Sequence, residues 1–593
     1  MATRRGSSHS EAMTRGEAGR PAWLGAQAAY GLLALAALAV ALVYVDRIFF
    51  ELPVYAGAES SHLVHALFGK TLAARPDLLP QAKGIGDTLF GLLIRALTYA
   101  TQNLLPWLRV LGAAAYFGGL ALMLASVRTS LDRDGWIGAA LLALAYPNYR
   151  FAAAALPEGW YVLFLGAAAL ATTRLYGPRP IVHAALAGVL VGALTMLKPQ
   201  GPAVGVAFLL LAVVDLLLGR RDLRVFVGRV AVLAATFLIS VNLLQLAADQ
   251  AASAPFSFYL GDRYDALLTG TVTPEGWIAG ARGLVAMVAS CVMLAAVPAL
   301  TGLLRIEMRW RWHQGRGRFF LAPHEATFLL VLFALALNLG LTALLATGET
   351  ANPSRIWGRQ FEALIPLLWI AAAPFISEFD RAGGRWWRMA MGAAPIVGLA
   401  GLGACLVGGV TPRAWDAAAL SAFSLEHLPA AGLAAAIIVA AGAATAFRSW
   451  SVTSIWLAAF AALTVLSTVL DVQWERTNAA ARDALGQDLT AAAAIIEQRP
   501  GGVAVIVEDP IQARLAYLRL RARPITVLSA PDRARLAEID TVAAIGSRPL
   551  GPAWRVAFHG PKLVVYTRRT GAPIPPRASA AGGGGLLSEP GSS

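Results

Sequence analysis

The amino-acid sequence predicts a mainly α-helical, polytopic membrane bundle that carries a small α/β domain near its C-terminal end. Of the 593 residues, 57% are hydrophobic and only 14% are charged, and the mean hydropathy is +0.60. Soluble domains carry about 25% charged residues, and a single water-soluble core rarely exceeds about 300 residues. So much apolar sequence therefore indicates helices covered by lipid. The aliphatic content excludes a disordered or collagen-like chain, and two cysteines exclude a disulfide scaffold.

Apolar runs give the number of membrane helices. About 20 apolar residues are needed to cross a bilayer as a helix, and runs of this kind predict about thirteen transmembrane helices. The runs lie near 23–45, 106–127, 135–152, 157–174, 181–197, 201–219, 225–247, 277–304, 324–347, 360–378, 389–410, 428–446 and 452–470.

The charge distribution predicts the orientation. Nearly all basic residues are arginines, and many lie in short loops between apolar runs, such as 220–229 and 305–318. The alternate loops, such as 46–59, are richer in acids. The positive-inside rule then predicts an inner-membrane protein with a cytoplasmic N-terminus, and an odd number of helices places the C-terminal domain in the periplasm or outside the cell. This use of arginine predicts membrane lipids as partners, and no nucleic acid.

Composition divides the chain into four regions. Residues 1–22 are polar and basic and are predicted to be disordered in the cytoplasm. The membrane domain covers 23–470 and includes a long first external loop, 46–105. An external α/β domain covers 471–570, and 571–593 is a flexible, glycine-rich tail.

Both external regions have predicted elements. In the first external loop, 62–72 and 89–97 have helical periodicity but are too short and polar to span, which predicts amphipathic helices on the outer membrane surface. In the C-terminal region, alternating patterns predict an α/β domain. Its predicted elements are a helix at 479–498, a strand at 503–507, a helix at 511–520, a strand at 525–528, a helix at 533–539, and strands at 542–545, 554–558 and 563–566.

Acidic residues cluster directly after the first membrane helix. Asp46, Glu51 and Glu59 lie in one short stretch, and His62 and His65 follow Glu59 at helical spacing. An acid beside the lipid surface is a candidate general base that deprotonates an acceptor hydroxyl. The alternatives are a divalent metal site made of Glu59 and the two histidines, and a surface helix whose N-terminus favours an acid.

Cations and a second acid follow in later external segments. Lys83, next to Gly84, suits a phosphate as a point charge, although Asp87 is an alternative partner. Glu158 follows Pro157 at a turn and is the second carboxylate candidate, with helix capping as the alternative.

A second group of cations occupies two further turns. Lys198 lies in another external turn. Arg355 and Arg359 are four residues apart, so that a helix places both guanidiniums on one side, where they suit an oxyanion. Interfacial snorkelling is the alternative for this arginine pair. All these groups fall on the predicted external side, which favours an external active site over a transport path that is polar at both ends.

These motifs resemble those of the GT-C class of membrane glycosyltransferases, and within it the protein O-mannosyltransferase and aminoarabinose transferase clan. The segment A-G-A-E-S-S-H-L-V-H-A-L looks like the family's acidic pair after helix one, with Ala58 in place of the Asp and Glu59 as the acid. K-G-I-G-D-T-L is similar to the family's K-P-P-L-G-Y-W, with Lys83 matched and the prolines absent. L-P-E-G-W is similar to the Pro-Glu element, and G-R-Q-F-E-A-L-I-P to R-Y-F-L-P, with Arg359 retained.

The resemblance implies a function. It implies transfer of a sugar from a polyprenyl-phosphate donor to a glycan, lipid or protein acceptor outside the cytoplasm, usually with inversion. Glu59, or Asp46, would be the general base, and Lys83, Arg355 and Arg359 would bind the lipid phosphate. Glu158 would orient hydroxyls. His62 is a further candidate substrate contact, and no cofactor is implied beyond the divalent metal that the histidines leave open.

Three other classes remain alternatives. A flippase or transporter of lipid-linked glycans requires internal repeats and polar groups through the membrane. A polysaccharide polymerase or ligase normally lacks an α/β C-terminal domain. A membrane-anchored binding protein would place its function in that domain, where the sequence has no glycine-rich phosphate loop and no metal-ligand spacing.

Overall fold

A computed structural model gives the architecture. The structure describes residues 22–49, 59, 62–64, 67, 89–101, 104–175, 179–219, 223–247, 272–314, 319–347, 355–382, 384–412, 417–447, 451–499, 501–508, 510–520, 525–536, 539–546 and 549–569. Glu51, His65 and Lys83 lie outside these residues, as does most of predicted helix 62–72. So do both ends that are predicted to be disordered, except Ala22, which begins the first helix.

A helix coincides with each of the thirteen predicted apolar runs. The helices of the membrane region are α1 Ala22–Phe49, α2 Leu89–Ala100, α3 Leu104–Val127, α4 Arg133–Ala145, α5 Tyr149–Ala152, α6 Glu158–Leu175, α7 Pro180–Leu197, α8 Gly201–Gly219, α9 Leu223–Ala247, α10 Pro274–His313, α11 Pro323–Thr347, α12 Leu364–Ala382, α13 Arg385–Val407, α14 Leu428–Phe447 and α15 Val452–Glu497.

Ten helices within the described residues are long and apolar enough to cross a membrane. Helices α4, α6 and α12 complete the set of thirteen, and α12 has a shorter apolar part, Leu364–Ile376. Helix α2 confirms the amphipathic helix predicted for 89–97, and it buries Phe90 and Ile94. Its predicted place on the outer membrane surface stays a prediction. The predicted fold class is therefore confirmed.

Glycines bring α3 and α6 into close contact. A Cβ added to Gly159 would lie 2.1 Å from the carbonyl oxygen of Gly112, and one added to Gly166 would lie 2.2 Å from that of Gly119. Small residues at such positions let membrane helices approach to backbone contact. A Cβ on Gly112 would also lie 2.5 Å from the carbonyl oxygen of Ala152 at the end of α5. These contacts fix the position of the first turn of α6, where Glu158 lies.

The last membrane helix continues into the C-terminal domain. Helix α15 is 46 residues long, so the predicted helix 479–498 is not separate but is the extension of this helix. The physical reason is composition, because 471–485 contains neither glycine nor proline and is rich in good helix formers. We call the end of the bundle from which α15 enters the C-terminal domain the domain end.

The C-terminal domain is a five-stranded mixed sheet. Its elements are β1 Gly502–Ile506, α16 Pro510–Arg519, β2 Ile525–Leu528, α17 Arg533–Leu536, β3 Ile539–Ile545, β4 Trp554–His559 and β5 Leu563–Arg568. The strand order is β2-β1-β3-β5-β4, with β1 parallel to β2 and β3, and β5 antiparallel to β3 and β4. Asp488 of α15 accepts hydrogen bonds from the backbone N–H groups of Lys562 (2.7 Å) and Leu563 (3.1 Å). These bonds attach the sheet to the helix.

Candidate active site

Glu158 lies at the centre of a buried cluster of charges at the domain end. It is the first residue of α6 and is almost fully buried. Its Oε1 accepts a hydrogen bond from Lys198 Nζ (3.2 Å), at the end of α7, and another from Arg359 Nε. Its Oε2 has no hydrogen-bond partner within the described part of the chain. One carboxylate therefore holds two cations and keeps one oxygen as a free acceptor.

The cations of this cluster differ in accessibility. The Arg359 side chain is 18% exposed, whereas that of Lys198 is 7% exposed and lies with Nζ 5.5 Å from the centre of the Tyr161 ring. Tyr161 in turn accepts a hydrogen bond from Asn338 Nδ2 (3.4 Å). Both cations contact the same carboxylate, and Arg359 is the more accessible of the two.

Glu59 is held close to the same turn. Arg109 of α3 contacts both of its carboxylate oxygens, with Nε to Oε1 and Nη2 to Oε2 at 3.4 Å each. The backbone N–H of Ala155, three residues before Glu158, donates to Glu59 Oε1 at 2.7 Å. Glu59 is fully buried. The structure thus brings two of the sequence-predicted acids to one short turn, which binds Glu59 at Ala155 and ends at Glu158.

His62 and Asp46 lie near this region in different environments. His62 packs edge-on against Phe90 at 5.5 Å between ring centres and is within electrostatic range of Glu158. Asp46 is half-buried near the end of α1 and has no ion pair within the residues that the structure describes. The described residues include no group of three or more His, Cys, Asp or Glu side chains that could hold a metal ion.

The two sequence-predicted arginines have separate surroundings. Arg359 reaches Glu158, whereas the Arg355 guanidinium stacks on Trp357, 3.5 Å from the ring centre. The backbone of the Arg355 segment is attached to Thr411, whose carbonyl accepts from Ile356 N–H at 3.1 Å. Arg355 is therefore held by stacking on Trp357 and by a backbone bridge to Thr411.

Glu362 ends the same segment and is fully buried. It accepts a hydrogen bond from the backbone N–H of Ala419 (3.4 Å), in the 3₁₀ helix Ala418–Phe423. Burial raises the pKa of Glu362 to about 8. The carboxyl group is consequently protonated at neutral pH.

A second charge network connects α1, α5 and α15. Arg150 of α5 forms a fully buried ion pair with Asp471 of α15, and its Nε lies 3.5 Å from Glu475 Oε1. Arg47 of α1 donates to the same oxygen of Glu475 at 2.5 Å. The backbone carbonyl of Arg47 accepts from Arg109 Nη1 at 3.3 Å, so this network joins the Glu59 pair.

The sequence analysis named Glu59, Glu158, Lys198 and Arg359, but no member of this second network. It also missed Arg109, which pairs with Glu59, and Glu362. The unpredicted members of the network are Arg47, Arg150, Asp471 and Glu475. One signal was available, because Asp471 and Glu475 are four apart directly after an apolar run. Two acids on one face at membrane depth require cationic partners.

The comparisons identify solved structures with a similar fold, while no family model and no curated protein matches the chain. Two are crystal structures of ArnT from Cupriavidus metallidurans, in the apo state and bound to undecaprenyl phosphate. They are 15% and 13% identical, with TM-scores of 0.51 and 0.49, and each comparison covers 91% of this chain and 98% of ArnT. A third is the oligosaccharyltransferase from Archaeoglobus fulgidus in the apo form. It is 11% identical and has a TM-score of 0.42, with 88% of this chain and 70% of that chain covered.

The likeness to apo ArnT spans both parts of the molecule, because nearly the whole of each chain is covered. It therefore includes the membrane bundle and the C-terminal domain together. At the level of fold, this confirms the resemblance that the sequence motifs indicate. The chain therefore has a fold similar to that of apo ArnT.

Proposed function

We propose that this protein is an integral membrane glycosyltransferase that moves a sugar from a polyprenyl-phosphate carrier to an acceptor outside the cytoplasm. The observation that carries the proposal is the Glu158 cluster, in which one carboxylate holds Lys198 and Arg359 at the domain end of a GT-C fold. The donor is a hexose or pentose on its lipid carrier, and the acceptor is an envelope glycan, a lipid or a protein.

The charge of the cluster fits this chemistry. A sugar–phosphate–lipid diester carries one negative charge, and the polyprenyl phosphate that leaves carries a second one. Lys198 and Arg359, which Glu158 holds together, supply the positive groups that stabilise the charge developing on the departing phosphate. In this proposal Lys83 and Arg355, which the sequence motifs also select, contact the same phosphate.

The transfer proceeds in one displacement with inversion. The acceptor oxygen attacks the anomeric carbon, the bond between that carbon and the phosphate oxygen breaks, and the acceptor proton goes to a carboxylate base. Glu158 Oε2 accepts a hydrogen bond from a substrate hydroxyl and orients it, which its lack of a partner in the described structure supports. His62, within range of Glu158, contributes a further substrate contact.

Two acids are alternatives for the base. Glu59 has the closer position, since it is bonded to the turn that precedes Glu158. To act as a base, Glu59 must give up one of its two 3.4 Å contacts with Arg109 and bind the acceptor hydroxyl instead. Asp46 is more accessible and has no described ion pair. Substitution of each acid separately identifies the base, because only the base is needed for proton transfer.

The proposed orientation follows from the distribution of arginine. The N-terminus lies in the cytoplasm. The domain end, which carries the Glu158 cluster and the sheet domain, lies on the periplasmic or extracellular side of the inner membrane.

A transfer assay with purified protein in lipid vesicles tests the function. Radiolabelled polyprenyl-phosphate sugars and membrane acceptors are supplied to wild type, Glu158→Gln and a matched control, Glu325→Gln. Glu325 is also a buried acid paired with an arginine, Arg309, but at the opposite end of the bundle. We expect wild type and the control to transfer sugar, and Glu158→Gln to lose transfer by about 10²-fold or more.

Two outcomes contradict the proposal. Equal transfer by Glu158→Gln and Glu325→Gln removes Glu158 from the site. Absence of transfer by wild type from every carrier, together with movement of lipid-linked glycan across the vesicle membrane, replaces the transferase with a flippase.

A further inference from the structure

Helix α15 contacts the two segments that supply the Glu158–Arg359 ion pair. On one side, Asp471 forms the fully buried ion pair with Arg150, and Arg150 Nη2 also lies 3.5 Å from the Asp471 carbonyl oxygen. The Arg150 guanidinium lies 4.8 Å from the centre of the Trp474 ring, on the next turn of α15. With Glu475, whose Oε1 lies 3.5 Å from Arg150 Nε, four groups of one helix thus surround this arginine.

Arg150 is close in sequence to the acids of the site. It lies in α5, and the turn that follows α5 contains Ala155, whose N–H binds Glu59, and ends at Glu158. Fixing Arg150 against α15 therefore fixes the start of the turn that places Glu158.

The same stretch of α15 holds the segment that supplies Arg359. Ser467 Oγ donates to the carbonyl of Ala419 at 3.1 Å, and Ser421 Oγ donates to Asp471 Oδ1 at 3.4 Å. The N–H of Ala419 donates to Glu362, which lies three residues after Arg359. Asp471 is therefore linked to both segments, to one through Arg150 and to the other through Ser421 and the 3₁₀ helix that binds Glu362.

We propose that Arg150 and Asp471 are positioning residues, which set the distance between Glu158 and Arg359 by fixing their segments to one rigid helix. This inference rests on the proposed transferase function. Neither residue touches substrate. Their effect is on the geometry of the cations around the leaving phosphate, where a misplacement of about 1 Å costs about 10²-fold in rate.

The test compares Asp471→Asn with Asp215→Asn as the matched control. Asp215 is likewise buried in a membrane helix and paired with an arginine, Arg229, at 3.7 Å, but at the opposite end of the bundle. Amide hydrogen exchange is measured on peptides that cover 149–158 and 355–363, and kcat and KM are measured in the transfer assay. We expect Asp471→Asn to exchange faster in both peptides, and to lose at least about tenfold in kcat with an unchanged KM for the donor. Asp215→Asn should change neither quantity.

Two further variants separate positioning from general loss of structure. Ser421→Ala removes the contacts of Ser421 Oγ with Asp471 and with the Ala417 carbonyl, and it leaves the Arg150–Asp471 ion pair in place. Exchange should therefore rise in 355–363 and remain unchanged in 149–158. Asp471→Glu keeps the charge and should restore most of kcat. These variants also decide the matter if Asp471→Asn does not fold.

Unchanged exchange in both peptides of Asp471→Asn and Ser421→Ala overturns the inference, as does a rise in KM with kcat unchanged. If wild type transfers no sugar from any carrier, the proposed function fails, and the exchange rates alone then decide whether Asp471 fixes both segments.

Discussion

Arg359 donates a hydrogen bond to Glu158 although the two residues are 201 positions apart in the sequence. Glu158 begins a helix that packs by glycine contacts on α3, and Arg359 lies in the segment before α12. Their contact gathers the charges of the domain end into one site, because Lys198 binds the same carboxylate oxygen.

The Arg359 guanidinium should not be replaceable by an ammonium group. A guanidinium has five N–H donors in a fixed planar fork that matches the geometry of carboxylate and phosphate, whereas the lysine ammonium is a point charge with three donors. We expect Arg359→Lys to lower kcat/KM for the donor by about 10²-fold. Transfer kinetics check this, with Arg309→Lys as the control at the opposite end of the bundle. A loss below threefold would show that Arg359 contributes only charge.

The buried Glu59–Arg109 ion pair should contribute strongly to the free energy of unfolding. Removal of one partner of a buried ion pair costs about 3–5 kcal/mol, because the other charge stays buried without compensation. We therefore expect Glu59→Gln and Arg109→Met each to lower the thermal unfolding midpoint, and the double variant to recover part of the loss. If Glu59 is the base, the double variant folds but transfers no sugar. Full transfer by the folded double variant excludes Glu59 as the base and leaves Asp46 and Glu51.

Gly159 should tolerate no side chain. A Cβ at this position would lie 2.1 Å from the Gly112 carbonyl oxygen, so α3 and α6 must separate in Gly159→Ala. We expect a loss of roughly 1–3 kcal/mol in stability and a loss of transfer activity, since Glu158 is the adjacent residue. Gly340→Ala is the control, because an added Cβ meets no atom within 4 Å there. Equal unfolding midpoints in the two variants would refute the close contact.

Glu362 should make stability depend on pH. Its pKa is about 8 in the folded protein against an ordinary value of 4.5, because burial disfavours the charged form. The protonated group therefore contributes stability fully below pH 4.5, and this contribution is lost as the pH rises through 8. We expect the unfolding midpoint of wild type to fall between pH 6 and pH 9, and that of Glu362→Gln, which stays neutral, to fall less. Parallel pH profiles would contradict this assignment.

Hydropathy was sufficient to predict the helices of the bundle, because a helix that crosses the membrane needs about 20 predominantly apolar residues. Every predicted apolar run contains a helix, since a membrane-spanning backbone must satisfy its own hydrogen bonds. The strands of the C-terminal domain were also predictable, because short buried runs such as 503–507 are bounded by glycine or polar turns. The continuity of α15 was not predicted, because the polar residues after 470 interrupt hydropathy without interrupting the helix.

The site was predictable only in part. Short motifs and their order selected Glu59, Glu158 and Arg359, all of which lie at the domain end. Their partners could not be identified in the same way, because the pairing of Arg109 with Glu59 or of Arg150 with Asp471 depends on helix packing over long sequence separations. From sequence alone, a charged residue at the end of an apolar run is interpreted as a residue at the membrane–water interface. Only the folded structure shows that it forms a buried ion pair.

Binding of a polyprenyl phosphate to the purified protein tests the central claim most directly, since that lipid is the proposed product and carries the charge that the site stabilises. Calorimetric titration would compare wild type, Arg359→Gln and Arg309→Gln, the last of which leaves the buried Glu325 without its arginine at the opposite end. The account predicts at least tenfold weaker binding in Arg359→Gln and unchanged binding in Arg309→Gln. Equal affinity in all three proteins would contradict a lipid-phosphate site at Glu158 and Arg359.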